Sequence, residues 1–145
     1  DRSVSHASEV EQYNASLVFE GIVACSKAAL AAGVPVALGN DVGCPWITQY
    51  DFWRELYYFH KFVGVTNRFA LYTATSRSAQ MAGIGDMTGM ITPGFSADMI
   101  VTEKNPLDDL CALRRVDMVI ACGRVIDHPS FRHRKNVEAE LDKFL

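Results

Sequence analysis

The passage from Ser8 to Asp41 constrains this chain more than any other. Val10, Tyr13, Leu17, Ile22, Ala24 and Ala28 fall on or near one face at helical spacing, and Ser8 with Glu11 has the form of a capping box, so a helix is predicted over 8–32. Gly33 stops it. Val34, Pro35, Val36, Ala37 and Leu38 then make a short continuous apolar run closed by Gly39, Asn40 and Asp41, the pattern of a strand buried on both faces. A helix, a glycine and a buried strand in that order are the grammar of a parallel sheet covered by helices. The expected fold class is therefore α/β.

Downstream, Phe52, Trp53, Leu56, Tyr57, Phe59, His60 and Val63 form an apolar stripe that predicts a helix over 49–63, ended by Gly64. Thr66 suits the N-cap of a further helix over 66–81, closed by Gly83 and Gly85. Beyond Asp86 the pattern changes to short β-like runs at 89–92, 98–102, 116–121 and 124–126, with Cys122-Gly123 placed as a hairpin turn would be. Residues 105–110 read as a turn leading into one short helical turn. In the segment 134–145, charges interleave with Val137, Leu141 and Phe144, which predicts a terminal amphipathic helix.

Composition narrows the function classes. The 145 residues are 49% hydrophobic and 21% charged, the balance of a soluble globular protein. Fourteen Lys and Arg against seventeen Asp and Glu leave no basic excess, which argues against nucleic acid as a partner. The longest apolar run, near 28–38, is broken by Gly33 and Pro35 and is shorter than the roughly 20 residues of a membrane span, so no membrane partner is expected. Cys25, Cys44, Cys111 and Cys122 are scattered with no Cys-x-x-Cys pair, which favours a reduced, cytoplasmic protein, although the even count leaves two disulfides open. The chain opens Asp1-Arg2-Ser3 without an initiator Met and reads as a piece of something longer.

Chemistry concentrates near Asp41. A carboxylate just past the end of a buried parallel strand, followed by a glycine-containing loop, sits where ligands bind in α/β sheets and barrels. The same Asn-Asp-x-Gly run is also ordinary turn chemistry, so site residue and turn cap both remain open at this point. Cys44 is a possible nucleophile with His60 as its helper, against which a neighbouring Asp would raise the thiol pKa. His60 otherwise reads as a core or boundary histidine, and His128 and His133 as solvated ones. His6 has no metal-ligand spacing around it. Trp46, Tyr50, Phe52 and Trp53 either pack the strand end or wall a pocket. There is no Gly-x-Gly-x-x-Gly, P-loop or His/Cys cluster.

Taken in order, residues 32–41, Arg54-Glu55-Leu56, Ala74-Thr75 with Ala79, residues 94–101, Asn105-Pro106-Leu107 and residues 119–125 resemble the C-terminal third of metal-dependent amidohydrolases. The likeness covers about residues 15–127 and lies nearest the imidazolonepropionase-like and prolidase-like branch. It implies a (β/α)8 barrel whose last strand is 34–38, with 1–86 the last β/α portion, 87–127 part of an adjoining small β-sandwich, and 128–145 a tail and helix. It also implies that Asp41 contacts a divalent metal, most simply zinc, and takes the proton from its bound water. Val42, Gly43, Cys44 and Trp46 would then line the substrate pocket within the loop 42–50.

The implied reaction is hydrolysis of an amide, cyclic amide or dipeptide-like C–N bond in a small molecule. Two departures stand out: Gly39-Asn40-Asp41 where the family often has Gly-Thr-Asp, and Gly94-Phe95 where it often has Gly-Lys. The family's remaining metal ligands, from its first, fourth, fifth and sixth strands, have no counterpart. A barrel takes about 250 residues. The chain is therefore expected to be inactive alone and to need the rest of a barrel, or an oligomeric partner. The rival expectation is a non-catalytic α/β module that pairs with another chain.

Overall fold

The computed structural model describes residues 8–145. His6 and the opening Asp1-Arg2-Ser3 lie outside the described residues. Helix α1 spans Glu9–Ala31 and begins with the expected capping box: the Glu11 amide donates to Ser8 Oγ at 3.3 Å, and the Ser8 amide donates to Glu11 Oε2 at 2.7 Å. At its other end Gly33 takes φ +72, with Gly33 N–H bonded to the Leu30 carbonyl and Val34 N–H to that of Ala29. That paired closure is a Schellman motif, and it needs the left-handed residue that glycine supplies.

No residue of α1 is buried, and Val10, Leu17, Val18 and Ile22 are each more than half exposed. α1 is 23 residues long with a window of mean hydropathy 1.2, which meets the length and composition of a membrane-crossing helix. A search for unbroken apolar runs misses it because Glu20 and Lys27 interrupt the pattern.

The segment 34–38 is extended but is not a strand, which corrects the expected buried strand. Among the described residues it has no neighbouring strand to exchange backbone hydrogen bonds with, and a ladder needs two members. Only one of its faces is covered: Val36 and Leu38, two residues apart, pack on the cluster of Leu56, Phe59, Ala70 and Leu110.

Helix α2 (Trp53–Tyr58) runs on through a π-helical turn, Phe59–Val63, to Gly64 in the left-handed region. Helix α3 (Asn67–Tyr72) starts at Thr66, whose hydroxyl accepts the Phe69 amide, and continues through a second π turn, Thr73–Arg77, into α4 (Ser78–Met81). A π turn leaves carbonyls without their usual partner. Ser78 Oγ ties this turn by donating to the carbonyl of fully buried Thr73 at 2.7 Å. The two unbroken helices predicted over 49–63 and 66–81 are thus each interrupted, and the first starts four residues late.

Strands β1 (Met99–Val101), β2 (Met118–Ala121) and β3 (Arg124–Asp127) form an antiparallel sheet in that order, with Ile100 opposite Val119 and Ile120 opposite Val125. Cys122 and Gly123 both take positive φ, as a tight hairpin requires. Asp98 anchors that turn by accepting the Cys122 amide at 2.7 Å. The β-like run at 89–92 is not a strand. Gly89, at φ +92, lies so close to the helical layer that a Cβ there would meet Ala79 Cβ at 2.8 Å, and its carbonyl accepts Ser76 Oγ. The turn at 105–110 leads into a 3-10 turn, Leu110–Arg114, that seats Leu110 in the core. Helix α5 (Lys135–Leu141) and a last 3-10 turn end the chain.

Candidate functional site

Asp41 ends the extended segment in a left-handed conformation, φ +47, which Asp tolerates better than most residues. Gly43 and Trp46 also take positive φ, so the chain doubles back on itself within six residues. For a bulky Trp that conformation is strained. The Asp41 carbonyl accepts the Cys44 amide at 3.3 Å, and Asp41 Oδ2 accepts the Cys44 thiol at 3.0 Å. The carboxylate is otherwise exposed. The hydrogen bond and negative charge of Asp41 push the Cys44 thiol up, as expected from sequence. His60 does not join Cys44: it is exposed rather than in the core, with Nδ1 2.7 Å from the Val65 carbonyl. A Cys44–His60 pair is therefore not formed.

The four residues expected to line a pocket, Val42, Gly43, Cys44 and Trp46, do border one cavity of about 330 Å³. Its opposite wall is Arg134 and Val137 from the C-terminal segment. Local sequence patterns give no sign of that wall. It is held in place by contacts spanning more than eighty residues. The Arg134 amide donates to Tyr50 Oη at 2.7 Å, and the Tyr50 ring stacks on Phe131 at 4.8 Å. Beneath the loop, Thr48 Oγ1 and Arg54 Nε donate to Asp51, while Arg54 Nη2 and Arg114 Nη2 donate to Asp142 at 2.6 and 2.8 Å.

Arg54 is 2% exposed and its guanidinium lies 4.6 Å over the Trp53 ring. Burial works against its charge, and the carboxylates of Asp142 and Asp51 outweigh it, so its pKa rises. Burial likewise lifts Asp142, and the two arginines reverse that to hold its carboxyl below the ordinary range. Trp53 is buried as packing, whereas Trp46 is 37% exposed at the cavity. His133 contacts Glu138, and exposed His128 neighbours Asp127. All four cysteines are free. A second, larger cavity of about 930 Å³ separates the helical layer from the sheet; its walls include Leu56, Ala79, Ile100 and Ile120, and Asp98 is its one acidic member.

The described residues thus form a helical layer beside a small antiparallel sheet, with a carboxylate exposed where the segment 34–38 turns. The family model described as Amidohydrolase family matches residues 20–127, and the chain belongs to that family. It is similar to a Bifidobacterium longum protein assigned as a prolidase, at 34% identity and a TM-score of 0.89, covering 97% of this chain and 34% of that one. The unmatched 3% is too short to hold α1, so α1 has a counterpart there.

A Xaa-Pro dipeptidase solved with methionine in its active site is 30% identical, with a TM-score of 0.70 and coverage of 83% of this chain and 29% of that one. The ochratoxinase of Aspergillus niger is 33% identical over 87 residues, 58% of this chain and 17% of that protein. The chain thus spans between 17% and 34% of the length of each of these relatives.

Proposed function

We propose that this chain forms part of a hydrolase of C–N bonds in small amide or dipeptide-like molecules, with Asp41 as its proton-transfer group. Residues 1–86 would close a barrel, 87–127 would contribute to a sandwich beside it, and 128–145 would pack back on the loop after Asp41. The observation that carries this reading is an exposed carboxylate, bonded among the described residues to the thiol of cavity-lining Cys44, in a chain of the amidohydrolase family. Amide hydrolysis adds water across the C–N bond. Asp41 accepts a proton as the water oxygen attacks the carbonyl carbon and delivers it to the leaving nitrogen.

The amidohydrolase family generally binds divalent metals. Among the described residues no group of three His, Cys, Asp or Glu side chains is placed to hold one. Asp41 offers one oxygen, so a zinc site would need ligands from outside these residues, and no step is derived through it.

Assay of the full-length polypeptide on dipeptides and N-acyl amino acids tests the reading, with Asp41→Asn beside wild type. Release of the free amine by wild type and its loss in the variant is the expected result; equal turnover by both overturns the role of Asp41. A second reading, a module that pairs with another chain, is favoured by the unburied apolar residues of α1. Turnover by the full-length polypeptide would exclude it.

A further inference from the structure

We propose that residues 128–142 are a strap that sets the position of the loop carrying Asp41, with Phe131 and Tyr50 as its positioning residues. The inference rests on the hydrolase reading above and deepens it, because it concerns how the proton-transfer group is held. The family match ends at residue 127, so the strap lies beyond the matched residues.

From Asp41 to helix α2 the loop is a succession of short turns. The Cys44 amide donates to the Asp41 carbonyl, that of Ile47 to Cys44, that of Asp51 to Thr48 and that of Arg54 to Asp51. Residues 41–46 are all exposed, and Thr48 and Asp51 are the buried members of the loop. With so little of its own surface buried, such a loop has to be held from outside. The strap grips it at two adjoining points. At Tyr50, the Phe131 ring stacks at 4.8 Å with 21° between the planes, and the hydroxyl accepts the Arg134 amide. At Asp51, Arg54 bridges loop and strap by donating to Asp51 and to Asp142.

Phe131 keeps 47% of its surface exposed and has no place in the hydrophobic core. Its ring meets Tyr50 and, at 4.6 Å, His133, which in turn contacts Glu138 of α5. Helix α5 leads directly to Asp142, the residue that Arg54 and Arg114 anchor. Aromatic pairs have preferred geometries, so the rings relay the position of α5 to Tyr50, and the turns relay it to Asp41. A misplacement of about 1 Å at a reacting group can cost about a hundredfold in rate.

The test measures amide exchange over residues 42–47, and turnover of dipeptides, in the full-length polypeptide. Wild type is compared with Phe131→Ala, Phe131→Tyr and Tyr50→Phe, with helix α2 as the internal reference. Phe131→Ala should speed exchange of the loop amides roughly two- to tenfold and leave α2 unchanged. It should lower kcat about tenfold and move KM by no more than about twofold. Phe131→Tyr should restore both, because it rebuilds the stack. Tyr50→Phe keeps the stack and removes the acceptor of the Arg134 amide, so it should fall between wild type and Phe131→Ala.

Unchanged loop exchange in Phe131→Ala overturns the strap and leaves hydrolysis standing. Exchange that quickens equally in the loop and in α2 also overturns it, since the rings would then support the fold at large. A loosened loop with wild-type kcat overturns the role in holding Asp41. A loop that loosens as expected, in a polypeptide whose wild type turns over no probe, upholds the strap and overturns the hydrolase reading.

Discussion

Two aspartates ten residues apart bracket the loop after the extended segment, and the fold treats them in opposite ways. Asp51 is buried, with both oxygens engaged by Thr48 and Arg54. Asp41 is exposed, in a left-handed backbone, with a single thiol bonded to it. A carboxylate with both oxygens engaged by fixed donors is poorly placed to take up a proton, while one left to solvent is free to. The contrast separates a group that holds the loop from a group that the loop presents. It is broken most directly by Asp41→Asn in the full-length polypeptide, which should lower turnover by about 10²–10⁴. The thermal midpoint should move by no more than about 2 °C. A large drop in the midpoint would show that Asp41 is structural too.

The reciprocal substitution, Asp51→Ala, strips buried Arg54 of one of its two carboxylates. Removing one partner of a buried pair costs about 3–5 kcal/mol, because the remaining charge stays in a poorly solvated site. Denaturant unfolding of the full-length polypeptide should show that loss. Turnover per folded molecule should change far less than in Asp41→Asn. If Asp51→Ala proves nearly neutral, Asp142 alone suffices for Arg54 and the loop is held by other means.

The two aspartates also differ in how readable they were. Asp41 stood out because a local pattern, glycine, apolar run, glycine, carries it, and the Schellman closure at Gly33 and the hairpin at Cys122-Gly123 were legible for the same reason. Asp51 was not singled out. Its role depends on Arg54, and the role of Arg54 depends on Asp142, 88 residues away, a relation that no local periodicity encodes. Arg134 and Val137 as the second wall of the cavity are illegible in the sequence on the same ground. The apolar run of 34–38 predicts a buried strand, but strand identity depends on neighbours, and one covered face is all that Val36 and Leu38 find among the described residues. The π turns were invisible because the apolar spacing that predicts a helix does not register one extra residue per turn.

A smaller test addresses how the helices that flank the site are held. The carbonyl of Thr73, which is fully buried, accepts Ser78 Oγ across the second π turn. Ser78→Ala removes one hydrogen bond to that carbonyl and should cost about 0.5–1.5 kcal/mol in denaturant unfolding. A neutral result would mean that the turn relaxes to ordinary α-helical pairing, a change that infrared or amide-exchange measurements on 73–78 would register.

The smallest expected effect concerns the acid limb and sharpens which carboxylates tie the molecule together. Asp142 receives Arg54 and Arg114, and although burial pushes its carboxyl up, the arginines outweigh burial and hold it below the ordinary aspartate value. A carboxyl depressed on folding adds stability that is fully present above the unfolded value of about 3.9 and is lost as pH falls through the lower folded value. Stability of the full-length polypeptide should therefore decline below about pH 4 with a contribution that Asp142→Asn removes. At pH 7 the variant should be the less stable of the two, and the gap should close on acidification. A gap that stays constant down to pH 2 would mean that Asp142 acts by hydrogen-bond geometry and not by charge, and the C-terminal wall of the cavity would then owe its place to Tyr50 and Phe131 instead.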